Sequence, residues 1–370
     1  MLIGIIAITA FFTSKSSVFF TAVNFSNLIV QMAGVTTIAI GVVFVLLIGE
    51  IDLSIGYLSG VAGVVVAELQ KPDGAHLPGL LAIAIAILVG AAIGAFQGSF
   101  VALVGVPSFV VTLAGLLAWQ GVIIKQLGTQ GVIGIQDQTI NNVANYVLPK
   151  NWGWALATIF AVGFTIAGFG GFLMRRRAGL RAGSFLLTAV RVIFWGGVAF
   201  VVVAACNHSR GVPFAGLLVV GLTVLGTYVA TRTTFGRHVY AVGGNAEAAR
   251  RAGINVKLIR IFVFMISGSM AAVGGIIFAS RLNSVDLTAG GGTILLDAIS
   301  AAVIGGTSLF GGRGFVKSAL FGGLIIAMIS NGIDLVGYSD ATKYITTAAI
   351  LLAAVTLDTV LRRRQTAAGR

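Results

Sequence analysis

From Pro78 to Leu103 the chain reads PGLLAIAIAILVGAAIGAFQGSFVAL, without a single charged side chain, and runs of this kind recur along its length. A helix rises about 1.5 Å per residue, so about 20 apolar residues cross a hydrocarbon core of roughly 30 Å with every backbone polar group satisfied internally. The runs are apolar on every face and do not alternate, which argues against a barrel of transmembrane strands. The expected fold is therefore all-α, a polytopic transmembrane helical bundle. Candidate spans lie at 2–12 (short), 27–49, 53–69, 78–103, 107–125, 152–174, 183–206, 211–231, 258–280, 296–310 (short), 315–336 and 341–361, about twelve crossings in a single transmembrane domain over residues 1–370. The chain opens directly on apolar residues, so 2–12 reads as the tail of a first span, with either a basic leader ahead of it or a start placed late.

Composition agrees: 57% of residues are hydrophobic and 9% charged, with mean hydropathy +1.02, where a soluble domain is about a quarter charged. The formal charge of +13 does not mark a nucleic-acid binder, because the basic residues cluster in segments between apolar runs and read as topology signals. Three such segments stand out: RRRAGLR at 175–181, the stretch from Arg232 to Arg260, and the tail LRRRQTAAGR from Leu361. The positive-inside rule puts all three, and hence the C-terminus, in the cytoplasm. The polar stretch 126–151, followed by Trp152 and Trp154, then faces outward. With the single cysteine Cys206 and the scattered histidines His76, His208 and His238 there is no metal-ligand spacing, and no metal or cofactor is expected. The run GGRGFVKS at 311–318 carries Val316 where a phosphate loop needs glycine, so any ATP must be used by a partner.

Glycines inside the spans form close-packing ridges, Gly90, Gly94 and Gly98 in one run and Gly56 with Gly60 in another. GEIDLSIG at 49–56 and NGIDLVGY at 331–338 hint at an internal repeat. Polar residues at membrane depth are the candidates for a translocation path, since a central aspartate costs roughly 2.5–3.5 kcal/mol to insert. They are Glu50, Asp52 and Ser54 between two spans, Asp297 opening a short run, and Asn331 with Asp334 closing another. Helix capping explains Asp52 and Asp297 equally well, and both readings stand at this point.

Residues 243–256, GGNAEAARRAGINV, predict a short helix between spans: Asn245 as its cap, Glu247 in the first turn paired with Arg250 and Arg251, and Gly253 ending it in a left-handed conformation. Ala248, Ala249 and Ala252 read as one smooth face, suited to a partner's groove; adhesion to anionic membrane lipid through the arginines is the alternative.

The longer run FGRHVYAVGGNAEAARRAGINVKLIR resembles the cytoplasmic coupling loop of the permeases of bacterial ABC sugar importers of the ribose, arabinose and xylose type. GEIDLSIG, VPSFVVTLAGLLAWQG at 106–121 and LDAISAAVIGGTSLFGGRG at 296–314 extend the likeness in the same order over about 27–364. The additional helix pair around 152–206, relative to ten-span members, resembles the xylose-type permeases in particular. The likeness departs at Glu50, where many members have glycine. It implies a non-catalytic subunit of the bacterial inner membrane importing a monosaccharide, D-xylose or another pentose. It further implies a homodimer, a cytoplasmic ABC ATPase and an extracytoplasmic sugar-binding protein. The loop 232–257 would couple to the ATPase through Asn245, Glu247, Ala248, Ala249, Arg250 and Gly253. An ion-coupled carrier is the competing expectation.

Overall fold

The computed structural model describes residues 2–180 and 183–367; Arg181 of the first basic segment and residues 368–370 of the basic tail lie outside them. In chain order the helices are α1 (Leu2–Lys15), α2 (Ala22–Leu47), α3 (Ile55–Leu69), α4 (Gly79–Ser99, prolonged by a wider π-helical turn, Phe100–Val104), α5 (Ser108–Leu127), α6 (Gln138–Asn145), α7 (Lys150–Arg177) and α8 (Phe185–His208). There follow α9 (Phe214–Arg232), α10 (Thr234–Gly244), α11 (Ala246–Arg251), α12 (Val256–Leu282), α13 (Ile294–Ile304), α14 (Ser318–Val336) and α15 (Asp340–Ala367).

Each of the twelve predicted apolar runs is a helix, with ends shifted by a few residues. Nine among the described residues are long and apolar enough to cross a membrane; α1, α3 and α13 are shorter. At 11 residues α13 covers about half of a hydrocarbon core. Helix lengths repeat across the chain: 26, 15, 21 and 20 residues for α2 to α5, then 27, 11, 19 and 28 for α12 to α15. The repeat is thus one of long, short, long, long. It does not follow the predicted likeness, because 49–56 is the α2–α3 junction whereas 331–338 is the end of α14. The α12–α13 junction is the place that corresponds.

Helix α12 is the axis of the bundle, packed against α2, α3 and α4. The glycine ridge explains how closely α4 approaches it. A Cβ on Gly94 would overlap the Phe264 carbonyl, and one on Gly90 would sit 2.6 Å from the Gly268 carbonyl. With no hydrophobic drive between helices in lipid, such backbone proximity is what van der Waals attraction requires. Gly56 and Gly60 likewise face Gly290 and Ala289, which lets the short α3 lie against the segment leading into α13.

The two ends of the bundle differ. At one, short antiparallel ribbons tie the loops: β1 (Val132–Gly134) with β4 (Ser284–Asp286), and β2 (Val147–Leu148) with β3 (Val212–Pro213). Gln70 braces this end by accepting from the backbone N–H of Gln136 and Asp137. At the other end lie the close of α7 with Arg175, Arg176 and Arg177, and the whole of α10 and α11.

Candidate functional site

At the basic end three chain segments meet through their backbones. Helix α2 stops at Leu47, and the Leu47 carbonyl accepts from the Gly312 N–H at 2.8 Å. Gly243, in the last turn of α10, abuts the same carbonyl so closely that any side chain there would overlap it. Gly311, at φ 82°, lies against Gly49, and an added Cβ would come within 2.9 Å of the Gly49 nitrogen and of the Gly243 carbonyl. Tyr240 adds a side-chain tie, donating to the Gly314 carbonyl at 2.8 Å, and burial pushes its phenol up from the usual range. The α2–α3 break, the α10–α11 loop and the α13–α14 loop are therefore one contact.

Helix α11 hangs from this contact. Asn245 accepts from the Ala248 N–H at 2.9 Å, and Gly253 turns left-handed at φ 84°. Glu247 receives two bonds from Arg250, at 2.9 and 3.0 Å, and one from Arg251 at 3.2 Å. Those hydrogen bonds hold its carboxyl below the usual carboxylate range, Arg250 contributing most. The three alanines do not share a face. Ala249 is buried in the same apolar cluster as Leu47 and Ile48, whereas Ala248 and Ala252 are exposed. At 3.6 residues per turn Ala249 points about 100° from Ala248, so the surface turned away from the bundle carries Glu247, Ala248, Arg250 and Arg251.

The six path candidates do not form one cluster. Glu50 is at the basic end, paired with Arg260 of α12 at 3.1 Å. Asp52 and Ser54 lie deeper and are buried. Asp52 accepts from the Ser54 N–H at 3.0 Å, the Ser54 hydroxyl at 2.7 Å and the Ser267 hydroxyl of α12 at 3.1 Å. It thus closes a tight turn on Ser54, the cap residue of α3, and ties that start to α12. Ser54 Oγ lies 3.1 Å from the Gln97 side chain of α4. A hydroxyl has one proton, and the Ser54 proton goes to the nearer Asp52 oxygen, so the Gln97 amide must supply the other bond by donating its Nε2–H. Its oxygen then turns toward the space over Gly115, which the Trp119 indole N–H also borders.

Asp297 sits at the ribbon end, one turn inside α13, so the capping expectation fails for it. Thr293 donates to its carboxylate at 2.7 Å and Thr347 of α15 at 3.4 Å, joining the two helices. Asp334 is exposed and 3.5 Å from Lys343. Asn331 is buried on another side of the bundle, between Asn24 at 2.9 Å and Gln31 at 3.1 Å of α2, where it fastens α14. An open cleft of about 480 Å³ lies between α3, α12, the glycines 290–292 and the start of α15. Asp286, Asp340 and Lys343 stand on its rim. Gln97 was legible as the one amide in the glycine ridge; Ser267, Arg260, Thr293 and Tyr240 carried no such signal.

The family of the branched-chain amino acid transport system permease component matches residues 24–355. The chain belongs to this family. The permease is 38% identical to the xylose transport system permease protein XylH of Escherichia coli (strain K12) over 365 residues, 98% of this chain and 92% of that one. XylH of Haemophilus influenzae is 36% identical over 98% of the permease and 96% of the relative. The ribose import permease protein RbsC of Escherichia coli (strain K12) is 32% identical over 96% and 92%. No solved structure matches the permease significantly.

Proposed function

We propose that this permease is the membrane subunit of an ATP-driven importer in the bacterial inner membrane, passing D-xylose or another pentose to the cytoplasm. The observation that carries the coupling half of this reading is the backbone contact of Leu47, Gly243 and Gly312. An ATPase pressing on α11 would act through it on the break leading into the short helix α3 and, through the α13–α14 loop, on the end of the short helix α13. Two packed arrangements of the bundle biased by such an input are what alternating access needs. The sugar half is supported by the xylose and ribose relatives.

In this reading Asn245, Glu247, Ala248, Arg250 and Gly253 form the ATPase-facing knob, while Ala249 seats it. The basic end and the C-terminus face the cytoplasm. A sugar-binding protein releases its cargo over the cleft at the ribbon end, and a second copy of the permease completes the path. Glu50, Asp52, Ser54 and Asp297 line the route or brace its broken helices; Asn331 and Asp334 stand farther from it. The α7–α8 hairpin is an addition to a ten-span plan.

The test is uptake of labelled D-xylose and L-leucine in host cells lacking the permease gene and in the same cells with it restored. Restored xylose uptake that survives an uncoupler while ATP is maintained, but stops on ATP depletion, is expected. Restored leucine uptake would transfer the assignment to the amino acid of the family description. Collapse with the uncoupler at constant ATP would favour an ion-coupled carrier.

A further inference from the structure

The α7–α8 hairpin is fastened to the bundle at one end only. In α7 the buried residues are Gly153 and Ala157, and in α8 they are Gly196 at mid-helix and Val203, Cys206 and Asn207 beyond it, so none lies in the turns nearest Arg177 and Phe185. Asn207 donates to the Lys150 carbonyl at 3.1 Å, and the small apolar cluster beside it reaches Phe25 and Ile29 of α2. Toward the basic end the two helices stand as a bare pair, joined by Phe185 against Phe169 and Phe172 at 5.4 and 5.9 Å between ring centres.

Between them in that half is a cleft of about 550 Å³. Gly168 and Gly171 supply its room on α7; Ser184, just ahead of α8, supplies a hydroxyl, while that of Thr188 donates to the Ser184 carbonyl at 3.2 Å; Arg175 and Arg191 line it from opposite walls. Arg191 is seven residues into an apolar helix, by the numbering of α8, hence about 9 Å from its start. Among the described residues neither arginine has an ion-pair partner. The residues lining the cleft include no Asp or Glu. Two exposed guanidiniums facing one groove between membrane-length helices suit an anion, and the anion that such a groove meets beside a bilayer is a phospholipid phosphate.

We propose that this cleft is a binding site for an anionic phospholipid, its phosphate held by Arg175 and Arg191 with the Ser184 hydroxyl, and its acyl chains along the two helices. Bidentate guanidinium bonds to phosphate oxygens suit both arginines. The lipid then fills the open half of the hairpin. The site depends on neither the transported substrate nor the ATPase.

The test is native mass spectrometry of the detergent-purified permease, loaded with equal amounts of phosphatidylglycerol and phosphatidylcholine, compared with the Arg175→Gln/Arg191→Gln variant. The wild type is expected to retain phosphatidylglycerol selectively, and the variant to retain about 30-fold less, at about 1 kcal/mol of surface attraction lost per arginine. A parallel measurement of thermal unfolding with and without phosphatidylglycerol is expected to show a stabilisation that the variant lacks. Inorganic phosphate at millimolar concentration should not displace the lipid; displacement without any lipid selectivity would make this a free-phosphate site and overturn the lipid assignment. Equal retention by a variant that stays monodisperse would also overturn it. If the double variant does not fold, Gly168→Leu, which fills the groove and keeps both charges, is the second reading, and undiminished selectivity in it would refute the site.

Discussion

Ala248 and Ala249 are neighbours in sequence and opposites in setting, one exposed and one buried in the cluster that includes Leu47. Ala248→Arg should leave the permease folded and monodisperse while cutting uptake at least about tenfold, the effect of a bulky charge in an interface that excludes water. Ala249→Arg should instead lower yield and melting temperature, because it forces an unpaired charge into apolar packing. Similar behaviour of the two in a thermal-shift and uptake comparison would contradict the seating of α11. Asp52 makes a second pair of expectations. Asn can accept from the Ser54 N–H and donate to Ser267, so Asp52→Asn should fold and transport; Asp52→Ala strands buried donors and should cost about 1–3 kcal/mol in stability. Loss of uptake in a well-folded Asp52→Asn would make the charge itself a working part of the path. At this scale the sequence was legible where the determinant is local: the Asn245 cap, the Glu247 pairs and the left-handed Gly253 depend only on neighbours within four residues. Which way Ala249 faces depends on Leu47, some two hundred positions away, and no local pattern carries that.

Among whole helices, the crossing of α4 with α12 is the most demanding, and its glycines separate packing from propensity. Gly94→Val should cost about 1–3 kcal/mol or prevent folding, since a side chain there must displace the Phe264 backbone. Gly163→Ala, in α7, meets nothing within 4 Å and should be neutral or stabilise by up to about 1 kcal/mol through helix propensity. Melting curves in one detergent decide; equal effects would deny the crossing its role. The existence and approximate bounds of all twelve apolar helices were legible because twenty-residue apolar runs leave the backbone no other way to satisfy itself in lipid. The glycine ridge was legible as a packing face, though not its mate. The repeat was misplaced because an Ile-Asp-Leu likeness spans too few residues to outweigh the order of long and short elements.

Over the molecule as a whole, the Arg175–Arg177 and Arg250–Arg251 clusters lie at one end and the paired ribbons, with Lys71, Lys150 and Lys343, at the other, so labelling of the two ends tests the sidedness proposed above. Cys206 is fully buried and can be replaced by serine to give a thiol-free background. Thr129→Cys, in the exposed loop before β1, should react with a membrane-impermeant maleimide on intact cells. Ala248→Cys should react only after the membrane is opened, and the reverse pattern would invert the topology. The scattered path candidates illustrate what one dimension withholds: Asp52, Asp297 and Asn331 look alike as polar breaks, yet one ties α3 to α12, one ties α13 to α15 and one fastens α14 to α2. The meeting of Leu47, Gly243 and Gly312 has one more implication, concerning slack. Side chains in an ordinary joint can swing between rotamers and absorb a displacement of an ångström before their backbones move. Here backbone bears on backbone, so the joint has no dead travel, and a small shove on α10 and α11 arrives at the ends of α2 and α13 undiminished. Enlarging any of these three contacts by a single methyl group would act like grit in a hinge.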